Sequence, residues 1–251
     1  MRLVLTFRSV AGIKFPIQYN YILQGFLYHY LSPELSNFLH CGGFLHGERR
    51  FKLFTFSSLM GKYRMQPEEE LIEFSPPFRL VVSSPVKRFL EELAENLLHN
   101  PEIELIGQKV LIEKIEVQPP PALDRDLLIR MLSPMTMYST LKTTEGKSKT
   151  YYYSPFEKEF SPLMERNARK KYELINRTSA DNLYLKIIPE KVNKNCEKIM
   201  KYKGTVIKGW KGTYRLQGST QLIQIAYECG LGAKNSQGFG CFEVVKNSNC
   251  L

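Results

Sequence analysis

No run of apolar residues in this chain approaches the ~20 that a membrane-spanning helix needs, and no C-x-x-C pair occurs anywhere in it. The first absence leaves no candidate span. The second removes the zinc ribbons and thioredoxin-type redox motifs that such pairs build. The five cysteines, Cys41, Cys196, Cys229, Cys241 and Cys250, are odd in number and scattered. That usage points to reduced thiols in a cytoplasmic protein, without a disulfide frame. The N-terminal stretch MRLVLTFRS alternates like a strand and lacks a signal-peptide pattern. Acidic residues are the minority: 25 Asp and Glu stand against 35 Lys and Arg, for a net charge of +10. Such a surface attracts polyanions, and with no basic amphipathic helix for a membrane face, the expected partner is nucleic acid.

Also lacking is a Lys-Ser or Lys-Thr behind any glycine of GLGAKNSQGFG, Gly230–Gly240. The stretch is therefore no P-loop. Nor is it a dinucleotide fingerprint, which sits between a strand and a helix. Here the preceding STQLIQIAYEC reads as a helix, with Ser219 at the N-cap and Leu222, Ile223, Ala226 and Tyr227 on one face. CFEVV after it reads as a strand. The loop either meets a ligand other than ATP or NAD, or simply turns the chain.

What is present is an element pattern that repeats. The first half reads β-α-β-β-α-β: MRLVLTFRS, the helix YNYILQGFLYHYL, the strand FKLFTFSSL, a hairpin of LIEFS and FRLVVSS closed at Pro76 and Pro77, the helix PVKRFLEELAENLLHN, and VLIEKIEV. QPPPAL, near residues 118–123, interrupts any element. The second half offers strands in LLIRMLSP, MTMYST, YYYSP, LYLKIIPEK and GTVIKGWKGTYRLQG, and a long helix in EFSPLMERNARKKYELIN. The expected class is α+β, two tandem ferredoxin-like (RRM-like) βαββαβ domains: residues 1–120, carrying the catalytic residues, and 121–251, carrying the Gly-rich loop.

FLHCGGFLHGERRFKLFTFSS places His40 and His46 in a glycine-containing loop, with Arg49, Arg50 and Lys52 leading into a strand. Histidine titrates near neutrality and can give or take a proton. Lysine at a strand start can neutralise a phosphate, and Tyr28 offers a hydroxyl. RNA can be cut with no metal when its 2′-OH attacks the adjacent phosphorus; the step needs a proton taken, a proton given and charge stabilised. Tyr28, His40 and Lys52 are groups of the right kind. No acidic cluster of the two-metal type is visible, since Glu68–Glu70 reads as a solvated turn, so neither metal nor cofactor is expected.

Read in order, YNYILQGFLYHYL, FLHCGGF, FKLFTFSSL, LSPMTMYS and GLGAKNSQGFG resemble the CRISPR-associated endoribonucleases that process repeat RNA, within the RAMP superfamily. The resemblance spans almost the whole chain. It implies a catalytic tyrosine on the first helix, a histidine after it and a lysine opening the next strand: Tyr28, His40 and Lys52. His46, in a second FLH, fits the histidine's place as an alternative. The resemblance further implies that Gly230, Gly232, Lys234, Asn235, Gly238 and Gly240 lie near the cleft between domains and meet RNA, with Arg49 and Arg50 as added anchors. The implied substrate is CRISPR repeat RNA in a precursor transcript. A non-catalytic RNA-binding subunit of a CRISPR effector complex is the alternative; contacts to other such subunits and a homodimer stay open.

The ordinary readings stand beside these. Tyr28 could be a core tyrosine with one polar tip. His29 reads as packing or surface, and His99 as a cation at a helix end. Arg166, Arg169, Lys170 and Lys171 could grip RNA or face water. Lys201, Lys203, Lys208 and Lys211, interleaved with aromatics, suit a hairpin crossing an RNA groove or a plain edge hairpin.

Overall fold

The computed structural model describes residues 1–142 and 148–245; Cys250 lies outside them. The alternation at the N-terminus becomes strand Arg2–Arg8, the middle of a five-stranded antiparallel sheet. Leu3, Leu5 and Phe7 face the main core of the first half, and Val4 faces the other way, onto Val81 and Cys241. In spatial order the sheet is Thr55–Phe56, Phe78–Ser83, Arg2–Arg8, Gln108–Gln118 and Glu102–Leu105. Helices α1 (Asn20–His29), α2 (Pro33–His40) and α3 (Lys87–His99) belong to this half. In α3, Phe89, Leu90, Leu93 and Leu97 recur at helical spacing and are all buried, each worth roughly 2 kcal/mol of apolar transfer.

The second sheet is ordered Leu185–Lys191, Thr213–Gly218, Asp126–Met131 and Phe242–Val244, with helices α4 (Phe160–Asn176) and α5 (Thr220–Cys229). In both halves the second, third, first and fourth strands lie side by side and every pairing is antiparallel. That is the ferredoxin-like βαββαβ plan, made twice in tandem. Two hairpins are added to the second copy: Tyr138–Lys142 with Ser148–Tyr152, and Glu197–Tyr202 with Thr205–Trp210.

Several local expectations are corrected. LIEFS and FRLVVSS are not a hairpin: Leu71–Phe74 pairs with Ile13–Pro16 and Tyr63–Gln66, whereas Phe78–Ser83 pairs with Arg2–Arg8. FKLFTFSSL is not one strand. Leu53 adopts φ +53°, breaking the extended run, and its carbonyl accepts from Ser84 Oγ at 2.7 Å. Lys52 therefore sits in this bend, outside any β-ladder. His40 is the last residue of α2 and His46 the last of the short strand Phe44–His46, so neither lies in an open loop. Ser219 occupies the N-cap of α5, but its hydroxyl accepts from Tyr184 N–H instead of capping the helix.

The two halves are joined through buried polar contacts. Arg2, 2% exposed, donates to Phe242 O at 3.0 Å and Tyr227 O at 3.1 Å, with its guanidinium 3.7 Å over the Tyr227 ring. Ser133 Oγ donates to Phe56 O and Thr55 Oγ1 to Phe239 O. The Phe242 and Tyr227 carbonyls thus solvate the buried Arg2 guanidinium through its two terminal nitrogens, while its Nε has no protein partner.

Candidate active site and cleft

Tyr21, Gln24, Gly25 and Tyr28 recur at helical spacing on α1 and form one wall of a cavity of about 380 Å³. The opposite face of the helix, Leu23, Phe26 and Leu27, is buried in the core. A Cβ at Gly25 would meet nothing within 4 Å, so the wall is open at that point. α2 contributes His40 at its C-terminal end. Ser32 starts that helix, its hydroxyl accepting from Leu35 N–H at 3.3 Å, while Leu35 and Leu39 anchor it from beneath. The bend at Leu53 contributes Lys52. Tyr202 and Lys203, at the tip of the second added hairpin, and Ser236 and Gln237 close the cavity from the other half of the chain. The structure thus brings Tyr28, His40 and Lys52 together.

The electrostatics follow from this enclosure. Lys52 Nζ lies 5.4 Å from the centre of the Tyr28 ring. Burial, and then the charge of Lys203, lower the pKa of Lys52. Burial, and then Tyr202, raise that of Tyr28 well above the usual phenol range, and its hydroxyl has no protein partner. Tyr28 therefore holds its proton and can donate it. No Asp or Glu is among the described residues lining the cavity, and no three of His, Cys, Asp and Glu gather among the described residues in a way that could hold a metal ion.

His46 goes elsewhere. Its Nε2 lies 2.6 Å from Glu173 Oε2 on α4, a contact between the two halves. Arg49 and Arg50 are exposed and line a second, larger cleft of about 600 Å³ between the halves, together with Tyr138, Lys234 and the underside of Lys171. Lys52, Ser236 and Gln237 border both spaces, so the basic cleft opens onto the Tyr28 cavity.

The glycine-rich loop differs from its expectation. Gly230, Gly232, Gly238 and Gly240 are buried and do not offer exposed amides. Their φ values are all positive, between +71° and +83°. A Cβ would strike Thr55 at Gly230, Met164 and the Thr136 carbonyl at Gly232, Phe56 at Gly238 and the Leu231 carbonyl at Gly240. The glycines serve close packing, within the loop and across the seam. Asn235 is an internal strut: its Nδ2 donates to Leu231 O and Phe239 O, both at 3.0 Å. Lys171, expected to grip RNA or face water, is 2% exposed. Its Nζ donates to Gly230 O, Gly232 O and Asn235 Oδ1 at 2.7–2.8 Å. Asn20 on α1 donates to Gln237 O at 2.8 Å, and Gln24 to Ser236 O, clamping the loop onto the first half. Lys234 remains on the cleft side, its Nζ 5.0 Å over the Tyr138 ring.

Tyr202, Gln24, Ser236 and Gln237 were not legible as cavity residues. The stripe Tyr21, Gln24, Gly25, Tyr28 carried a signal: four non-aliphatic residues at helical spacing opposite an apolar face.

Models of two families match adjoining parts of the chain: CRISPR-associated protein Cas6, N-terminal, over residues 14–116, and CRISPR associated protein Cas6, C-terminal, over residues 117–244. The CRISPR-associated endoribonuclease Cas6 1 of Methanocaldococcus jannaschii is 27% identical over 256 residues, 99% of this chain and 94% of its own. The CRISPR-associated endoribonuclease Cas6 of Pyrococcus furiosus is 28% identical over 241 residues, 94% of this chain and 86% of its own. A solved structure of a CRISPR associated protein Cas6 superposes with a TM-score of 0.80 at 26% identity, covering 98% of this chain and 99% of that one. A Cas6-related protein from Pyrococcus furiosus shares the fold with a TM-score of 0.84 at 20% identity, covering 99% of each chain. The chain belongs to the Cas6 family of CRISPR-associated proteins.

Proposed function

We propose that this protein is a metal-independent endoribonuclease that cuts CRISPR repeat RNA within its precursor transcript, with the seam between its two domains near residue 120. The observation that carries the reading is the convergence of Tyr28, His40 and Lys52, from three separate elements, on one cavity that opens onto a basic cleft. Similar proteins named as endoribonucleases support it. The cleft, with Arg49, Arg50 and Lys234, holds the ribose-phosphate backbone. His40 takes the proton of the 2′-OH, whose oxygen then attacks the adjacent phosphorus. Tyr28 gives its proton to the departing 5′ oxygen, because desolvation keeps the phenol protonated and leaves no phenolate to serve as the base. Lys52 stabilises the charge that develops on the phosphoryl oxygens. The products are a 2′,3′-cyclic phosphate upstream and a 5′-hydroxyl downstream.

The test is cleavage of a labelled repeat transcript from the same genome in excess EDTA. Full activity, with an upstream product end that resists ligation until the cyclic phosphate is opened and the phosphate removed, is the expected result. Dependence on added magnesium would overturn the mechanism. RNA that is bound but never cut would favour a purely RNA-binding subunit.

A further inference from the structure

One charged side chain at the cavity comes from the opposite half of the molecule. The hairpin Glu197–Tyr202 and Thr205–Trp210 reaches across the seam, and its docking is specific: Gln18 Oε1 accepts from Lys201 N–H at 2.8 Å, and the Tyr202 hydroxyl donates to Gln24 Oε1 on α1. Tyr202 is buried by this contact, and the next residue, Lys203, is exposed at the cavity mouth.

The turn itself does not call for lysine. Lys203 and Gly204 have φ +46° and +81°, the pair of left-handed residues that a two-residue hairpin turn demands. Asn, Asp or Gly meets that demand with less strain, and a long unbranched side chain gains nothing from it. Lysine is also placed against electrostatic preference. It shares a cavity with Lys52, and no described lining residue is acidic. Two ammonium groups facing one water-filled space repel each other unless an anion comes between them.

We propose that Lys203 is a second cation on the scissile phosphate, carried to the reaction centre by the docked hairpin. The inference rests on the reading of Tyr28, His40 and Lys52 as the cleavage site. When the 2′ oxygen bonds to phosphorus and the bond from phosphorus to the 5′ oxygen breaks, the phosphoryl group passes through a state with one more negative charge than the diester. Lys52 approaches from the first half and Lys203 from the second, so the charge is held from two sides. Lys203 exchanges no proton in this step: the 2′ proton goes to His40, and the 5′ oxygen receives its proton from Tyr28. The lowering of the Lys52 pKa by Lys203 reports the proximity of the two groups.

The test compares Lys203→Ala, Lys203→Arg and Lys52→Ala with the unaltered protein on a labelled repeat transcript. Two quantities are read: the single-turnover rate at saturating protein, and the Kd by filter binding. The expected result for Lys203→Ala is a rate about 10²-fold lower with a Kd within about threefold of the unaltered protein. Lys203→Arg should recover most of the rate. A normal rate in Lys203→Ala with Lys52→Ala inactive would overturn the inference and leave the site standing. A weaker Kd with an unchanged saturated rate would also overturn it, since Lys203 would then be a tether only. Normal rates in both alanine variants, or no cleavage by the unaltered protein, would bring down the site assignment and the inference with it. Because Lys203 is exposed at a turn, thermal unfolding should show its variants folded as the parent is.

Discussion

Tyr28 has its ring against Phe54 and a buried hydroxyl without a protein partner. Such an orphan donor costs about 1–3 kcal/mol where nothing satisfies it, and an arriving oxygen would remove that cost. This sets up a chemical test of the two proton roles. A repeat RNA with sulfur in place of the scissile 5′ oxygen has a leaving group that needs no proton. Tyr28→Phe should cut ordinary RNA at least about 10²-fold more slowly and cut the sulfur substrate at nearly the parent rate. His40→Ala should be slow on both, by about 10²–10⁴-fold, and His46→Ala, remote from the cavity, should cut normally. Rescue of His40→Ala by sulfur, with Tyr28→Phe still slow, would show the roles to be exchanged. The partition between His40 and His46 was not decidable from the sequence, since both follow Phe-Leu. The end of α2 puts His40 at the cavity, whereas His46 meets Glu173, a residue far along the chain, and this placement favours His40.

Among the elements, α4 has the least obvious task. Its sequence mixes charge and apolar residues as an ordinary surface helix does, yet Lys171 points inward and holds three loop oxygens. Replacing it with methionine keeps the stem and leaves those acceptors without their donor; the expected loss is about 2–4 kcal/mol, read by urea unfolding. Burial pushes the Lys171 pKa down to about 8 from 10.5. Between these values the native chain has released a proton that the unfolded chain keeps, so this group makes stability rise with pH. The stability gap between the parent and Lys171→Met should therefore widen from pH 8 towards 10.5. A narrowing gap would mean that the carbonyl cage holds the ammonium more tightly than burial repels it. The elements that sequence revealed, such as α1, α3 and Arg2–Arg8, have their own apolar period. What it missed depends on distant partners: Leu71–Phe74 was read as a strand but pairs with Ile13–Pro16, and α2 has only Leu35 and Leu39 buried to mark it. Lys171 reads as solvated because a lysine's neighbours in sequence do not disclose that its helix faces a loop some 60 residues on.

For the whole molecule, the tandem plan was visible because both halves repeat one order of elements, and the net charge of +10 announced a polyanionic partner. The cleft itself was not visible, since its walls are assembled across the seam. Arg49 and Arg50 are its exposed cations on the first half. Joint replacement of both with alanine should weaken repeat binding and lower the slope of log K against log salt by about 1–2. An unchanged slope would place the RNA away from this cleft.

The clamp of Asn20 on Gln237 and of Gln24 on Ser236 joins residues 217 and 212 positions apart. A ribosome delivers these segments in sequence, so a nascent chain displays Tyr28, His40 and Lys52 long before the wall that faces them has been synthesised. The cavity is thus enclosed only after those later residues have been made, and a chain interrupted before them carries the three side chains without the enclosure that shifts the pKa values of Tyr28 and Lys52.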